Sequence, residues 1–233
     1  MEMGAVRQRL LDAAEITDWV EFVDLWKEAT SRQRPDWTLP FIGGAAISKQ
    51  AIDETGIAAA VGALQLSIIL VDNILDDDDG PHTVWGAGKV SNLALAFQAA
   101  AFACAMTVSD NFGIVEAILS QMETAALGTA YGQHCDVITP LSDEAEYWRV
   151  VRAKSTPFYG ATLALGAAAA GGSAEQVDLL HRLGLLIGEA VQVTDDLVDA
   201  LAVEPSPDWM KRRQNLAILF ATCKKRANPL QSL

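Results

Sequence analysis

Two aspartate clusters constrain this chain more than any other feature. Asp72-Asn73-Ile74-Leu75-Asp76 and Asp195-Asp196-Leu197-Val198-Asp199 end two otherwise apolar helical runs, with 123 positions between Asp72 and Asp195. Each cluster sets carboxylates one helical turn apart on one helix face. Like charges at i and i+4 cost a helix about 0.2–0.5 kcal/mol per pair. Asp76 to Asp79 add further acids where a helix C-terminus already carries partial negative charge. A solvated acidic turn before Gly80-Pro81 would explain that run alone. The second cluster follows Leu183 to Thr194, a stretch apolar enough to be core, so its carboxylates need partners other than water. Only a fold that brings the two helices face to face lets both clusters share one ligand, and a helical bundle with inward-pointing side chains does this. Magnesium suits the donors, because it prefers oxygen, keeps several waters and binds through one or two carboxylates plus substrate phosphates.

The rest of the chain agrees with an all-α architecture. No alternating apolar and polar run of useful length predicts a strand. Residues 5 to 29 carry an amphipathic helical pattern, and further helices are expected over 52 to 76, 84 to 108, 112 to 136, 143 to 154, 156 to 170, 174 to 200 and 209 to 226. Ser142 and Ser173 read as helix starts, with acids in the turns that follow. With 233 residues, 51% of them hydrophobic, the chain has length for one buried core, and residues 1–233 are expected to form a single domain.

Several function classes fall away. A formal charge of −13, from 17 basic and 30 acidic residues, argues against nucleic acid as a partner. Cys104, Cys135 and Cys223 are scattered and odd in number, the usage of a reduced, cytoplasmic protein with free thiols. The first residues offer no apolar core for a signal peptide before Asp12 and Glu15. The charge-free runs 55 to 71, 90 to 109 and 155 to 174 read as helices buried on nearly all sides of a soluble bundle, not as membrane spans. No His follows a Glu by three, as a di-iron bundle requires, and no Gly-x-Ser-x-Gly is present.

Four motifs in order resemble the trans-prenyltransferases, the polyprenyl synthetase family of isoprenoid synthases. Asp72-Asn73-x-x-Asp76 is similar to the first aspartate-rich motif, with Asn in place of its second Asp. Gly132-Gln133-His134-Cys135-Asp136 is similar to the Gly-Gln-x-x-Asp helix, and Lys154-Ser155-Thr156 to the Lys-Thr motif. Gln192-Val193-Thr194-Asp195-Asp196-Leu197-Val198-Asp199 matches the second aspartate motif in full. The resemblance implies a single orthogonal helical bundle with a central apolar cavity, and a homodimer. It also implies three magnesium ions held around an allylic isoprenyl diphosphate by Asp72, Asp76, Asp195, Asp196 and Asp199. Lys154 and Gln192 would stabilise the departing diphosphate as catalytic donors, with Arg32, Arg34, Gln133, Lys211 and Arg212 binding it. Metal and preorganised donors would offset the charge that builds on the leaving oxygen. Ser67, Ile68 and Phe158 would line the pocket for the prenyl tail. Ser67 stands five residues before Asp72, where bulky aromatics close the pocket of short-product members, so a C15 or longer tail is expected to fit.

The acceptor half departs from the pattern. Ser31-Arg32-Gln33-Arg34-Pro35 lacks the family's Lys and preceding glycines, Gln65 stands where a His is usual, and Gly80-Pro81-His82-Thr83 has no Arg pair. A diphosphate pocket that loses these donors binds its anion less well. Prenyl transfer to isopentenyl diphosphate or to another small acceptor leads the readings. Asn215-Leu216-Ala217 and the Arg-poor first motif are similar to moenomycin-type prenyltransferases, which use a phosphoglycerate-type acceptor. A class I terpene cyclase and a non-catalytic subunit of a heteromeric synthase are the alternatives.

Overall fold

Helix boundaries follow local capping chemistry. Asp53 caps α4 (Glu54–Asp76), its Oδ1 accepting from the Gly56 N–H at 2.9 Å. Asp143 accepts from the Glu146 N–H at 2.9 Å at the start of α8 (Glu144–Lys154). Ser173 and Gln176 close a capping box before α10 (Ala174–Leu201). Such caps contribute about 1 kcal/mol each. The computed structural model describes residues 2–49, 51–138, 143–203 and 215–222, so the helix start expected at Ser142 lies outside the described residues.

Two expected helices are divided. The pattern over 5 to 29 becomes α1 (Met3–Ala14) and α2 (Val20–Ala29), because Glu15 adopts the left-handed conformation at φ 52° and turns the chain. The turn lets Trp26 donate its indole N–H back to the Arg7 carbonyl at 3.1 Å. The pattern over 84 to 108 becomes α5 (Pro81–Trp85) and α6 (Ala87–Ala105), which meet at Gly86 with φ 84°, a conformation that glycine reaches without a Cβ clash. A 3-10 turn (Pro35–Thr38) leads into α3 (Leu39–Ile47). The other described helices are α7 (Phe112–Ile138), α9 (Thr156–Ala169) and α11 (Leu216–Thr222). Among the described residues there is no strand, as the all-α expectation requires. The expected helix over 209 to 226 falls partly outside the described residues.

α4 and α9 are the inner helices. α9 packs against α3, α7 and α10, while α4 packs against α1, α6 and α7. Their small side chains allow this, since Ala58, Ala59, Ala60 and Ala63 on α4 and Ala161, Ala164, Ala167 and Ala168 on α9 are all buried. Aromatic packing ties the outer helices on: Phe22 stacks on Phe97 at 3.9 Å between centroids, and Trp26 on Trp37 at 5.6 Å. α4 is long and apolar enough to cross a membrane by length and composition, yet 61% of that window is buried against other helices.

Two burial expectations are corrected. α6 is not buried on nearly all sides, for Leu95 is 65% exposed. α10 is not core either: Gly184, Gly188 and Asp196 are its buried residues, and Leu183 and Leu186 face outward. Glycine lets the α10 backbone lie against Thr156 and Tyr159 of α9, so contact is made by backbone and the larger apolar side chains are left outside. Cys104 and Cys135 are buried free thiols, and burial pushes Cys104 up to about 11, while Cys223 lies outside the described residues.

Candidate active site

Gly132 sets the first half of the site. A Cβ there would fall on the backbone of Ala153 and Lys154, so only glycine allows the end of α8 to rest directly on α7. Lys154, the last residue of α8, is thereby delivered among three carboxylates. Its Nζ lies 2.7 Å from Asp136 Oδ2, 3.1 Å from Asp72 Oδ1 and 3.4 Å from Asp76 Oδ2. Gln133 is buried and donates its amide N–H to Asp72. Burial pushes the Lys154 ammonium down, but the attraction of Asp72, Asp136 and Asp76 outweighs it and holds its pKa above the ordinary lysine value. The lysine is therefore a fixed cation. The acidic run after Asp76 is a tight helix end, with Asp77 left-handed at φ 52° and the Asp78 N–H returning to the Asn73 carbonyl at 3.1 Å.

The second half comes from α10. Asp195 and Asp199, one turn apart, line the same cavity as Asp72 and Asp76. Asp195 is exposed to the cavity mouth; partial burial first, then the charges of Asp196, Asp199 and Asp36, raise its carboxyl above the ordinary aspartate value. Asp196 differs from both. It is 4% exposed, and its carboxylate accepts from the Tyr147 hydroxyl at 2.6 Å, the Leu216 N–H at 2.7 Å and the Gln192 amide at 2.9 Å. Gln192 is oriented at its other end as well, its Oε1 accepting from Ser155 Oγ at 2.6 Å. Hydrogen bonds and ion pairs thus join all four sequence motifs into one wall.

The expected central apolar cavity is instead two spaces. An acid-lined cavity of about 400 Å³ holds both aspartate clusters, Lys154, Gln192 and Phe158. Beside it runs a groove of about 520 Å³ between α4, α6 and α7, lined largely by apolar groups together with Ser67 and His134. Ile68, Thr129 and Gln133 belong to both. Phe158 and Tyr159 pack edge to face, with centroids 5.7 Å apart, at the base of the acid-lined cavity.

Other expected residues stand elsewhere. Arg32 is exposed, and the Arg34 guanidinium lies over the Trp37 ring at 5.9 Å; neither lines the cavity. Lys211 and Arg212 lie outside the described residues. Gln65 does line the cavity, but both ends of its amide are engaged, its Oε1 accepting from Trp37 Nε1 at 2.7 Å and its Nε2 donating to Asp36 Oδ2 at 2.9 Å. Sequence reasoning left Asp36, Asp136 and Tyr147 out of the site. Asp136 carried a signal, the last position of Gly-Gln-x-x-Asp. Asp36 and Tyr147 carried none, since a lone acid in a turn and a tyrosine in an amphipathic helix are ordinary residues.

Magnesium fits these donors in one way. Among the described residues no three carboxylates or other ligands converge closely enough to hold a metal alone. Asp72 and Asp76 already surround a cation, Lys154, and Asp195 and Asp199 face them with hard oxygens. Each pair would share magnesium with phosphate oxygens and water, the usual partition for this ion.

A sequence profile of the polyprenyl synthetase family matches residues 32–207, a span that holds all four motifs. The chain belongs to the polyprenyl synthetase family. The short chain isoprenyl diphosphate synthase of Methanothermobacter thermautotrophicus is 25% identical over 182 residues, covering 72% of this chain and 54% of that protein. The geranylfarnesyl diphosphate synthase of Natronomonas pharaonis is 31% identical over 172 residues, covering 70% and 50%. The chain spans about half the length of these polyprenyl synthetase relatives. Among solved structures, geranylgeranyl pyrophosphate synthetase from Pyrococcus horikoshii superposes with a TM-score of 0.83 at 16% identity, over 95% of this chain and 74% of that one. Polyprenyl synthase from Caulobacter crescentus, complexed with calcium and isoprenyl diphosphate, gives 0.79 at 21% identity, over 94% and 70%. At such identities the structural likeness speaks for the polyprenyl synthetase fold.

Proposed function

We propose that this chain is a magnesium-dependent prenyltransferase that ionises an allylic isoprenyl diphosphate and transfers the prenyl group to a small acceptor. One observation carries the reading: a fixed ammonium, Lys154, set among Asp72, Asp76 and Asp136 in a cavity also lined by Asp195 and Asp199, with an apolar groove alongside. Asp72, Asp76, Asp195 and Asp199 would hold the magnesium ions, three by the family resemblance. Bound magnesium would neutralise charge on the departing diphosphate. Lys154 would turn its ammonium from the carboxylates to the leaving oxygen, and the free N–H of Gln192 would add a second donor. Phe158 and Tyr159 exclude water beside the carbon that becomes cationic, and the face of an aromatic ring favours positive charge.

The prenyl tail would lie in the groove past Ser67 and Ile68 toward Leu95 and Val137. Its volume and the small side chain of Ser67 support a C15 or longer tail. Exposed apolar side chains on α6 and α7, among them Leu95, Leu127 and Tyr131, support pairing with a second copy as a homodimer. We assign the protein to the cytoplasm on its buried free thiols.

A second reading, an acceptor other than isopentenyl diphosphate, is favoured by the Gln65 and Asp36 pair. Where a His is usual for the family, the chain puts an amide bonded to a carboxylate. Incubation with magnesium and geranyl, farnesyl or geranylgeranyl diphosphate, with and without isopentenyl diphosphate, separates these outcomes by product analysis. A longer diphosphate supports elongation. Hydrocarbon formed without any acceptor would instead make the chain a cyclase. Allylic diphosphates that stay intact in both mixtures would favour another acceptor or the non-catalytic subunit.

A further inference from the structure

Asp196 sits in the middle of a carboxylate motif and yet is not placed like its neighbours. All three aspartates border the cavity, but Asp196 is 4% exposed and its carboxylate already accepts three hydrogen bonds. A carboxylate offers about four lone-pair directions. Three are taken by Tyr147, Gln192 and Leu216, which leaves little to offer a metal.

The donors come from three different elements, and each has a consequence. Tyr147 on α8 is fully buried, and burial together with the bond to Asp196 holds its phenol well above the ordinary tyrosine value, so it remains a donor. Leu216 is the first residue of α11, and beside it Asn215 donates to the Asp196 carbonyl at 3.1 Å and caps α11 by accepting from the Ala217 and Ile218 N–H groups at 2.9 and 3.2 Å. α11 then seats Leu219 against Tyr147 and Val151. Gln192 lies one turn before Asp196 on α10, and its bond to Asp196 fixes which side of the amide faces the cavity.

We infer that Asp196 is a positioning residue and not a metal ligand: its carboxylate fastens α11 and Tyr147 to α10 and sets the orientation of Gln192 beside the diphosphate site. The motif therefore divides its labour, with Asp195 and Asp199 serving the metal and Asp196 the scaffold. The inference rests on the cavity being a magnesium and diphosphate site. An asparagine at 196 would set an NH₂ against donors that need an acceptor, so one bond of the three is lost and an unsatisfied polar group replaces it.

The test measures magnesium binding in the presence of inorganic pyrophosphate by calorimetry, and metal-free melting, for wild type, Asp196→Asn, Asp195→Asn and Tyr147→Phe. Asp196→Asn should bind magnesium within twofold of wild type, melt roughly 3–8 °C lower without metal, and turn over more slowly at an unchanged magnesium requirement. Asp195→Asn should lose magnesium binding at least tenfold. A purely structural role would leave Gln192 uninvolved, so the kcat losses of Asp196→Asn and Gln192→Leu should be non-additive in the double variant. A tenfold loss of magnesium binding in Asp196→Asn, or additive kcat losses, overturns the inference. Tyr147→Phe covers the case in which Asp196→Asn does not fold: it should melt lower with magnesium binding unchanged, and wild-type melting and turnover would contradict the role. If wild type binds neither magnesium nor pyrophosphate, the reading of the cavity fails, and the melting comparison still decides whether Asp196 is a strut.

Discussion

At the α4 end of the cavity three carboxylates converge on one ammonium, whereas at the α10 end one carboxylate accepts three hydrogen bonds from neutral donors and its neighbour Asp195 faces the cavity among other acids. The two motifs read almost alike as sequence, but they solve the like-charge problem differently. The first is neutralised from within, by a lysine that Gly132 allows α8 to deliver. The second keeps Asp195 in surroundings that raise its pKa, so a cation arriving there is bound more favourably than at an already compensated site. Paired ends of this kind suit a ligand that carries its own negative charge and brings metal with it, since the phosphate can take over Lys154 while metal takes over the carboxylates.

Removing a carboxylate from either end should have the largest effect. Asp195→Ala and Asp72→Ala should each cost about three orders of magnitude in diphosphate release, ~4 kcal/mol of transition-state stabilisation. If only one of them matters, the two ends do not act on one substrate. Lys154→Met tests the internal neutralisation. With the ammonium gone, Asp72, Asp76 and Asp136 lose the cation they share, and metal-free stability should fall by about 3 kcal/mol. Added magnesium should restore more stability to this variant than to wild type, as read by thermal melting. Because the folded lysine pKa is raised, its contribution is fully present below the ordinary lysine value and lost only as pH rises through the folded value. The gap between wild type and Lys154→Met should therefore persist past pH about 10.4.

Gly132→Ala sharpens the link between backbone approach and charge. Its Cβ would push α8 off α7 and draw Lys154 away from Asp136, for an expected loss of roughly 1–3 kcal/mol in chemical denaturation. The smallest effect belongs to Asp195 itself. A raised folded pKa means that stability is lost as pH rises from the ordinary aspartate value through the folded one. Asp195→Asn should melt above wild type near neutral pH without metal, and the difference should vanish in acid, where wild type is protonated too.

Much of this could be read from the residues alone, for reasons that differ by element. Helical periodicity and capping residues such as Asp53 and Ser173 mark most helices, since caps and faces are local properties. The breaks at Glu15 and Gly86 escaped because one left-handed residue leaves little trace in a periodic pattern. Asp72, Asp76, Asp195 and Lys154 were legible by motif and stand together around one cavity. What the sequence hid is what side chains meet across the fold: Tyr147 on Asp196 spans 49 positions, and Asp36 on Gln65 spans 29. The buried look of α10 misled for a related reason. Leucine spacing gives the width of an apolar stripe but not which side its glycines will press against a neighbour.

The chemistry of the cavity turns on metal-dependent ionisation. Release of diphosphate from farnesyl diphosphate by the wild-type protein, followed with magnesium and again with excess chelator, tests it most directly. Steady release with magnesium that stops in chelator is the predicted result. Release that continues unchanged in chelator would contradict a cavity whose carboxylates exist to bring magnesium to an allylic diphosphate.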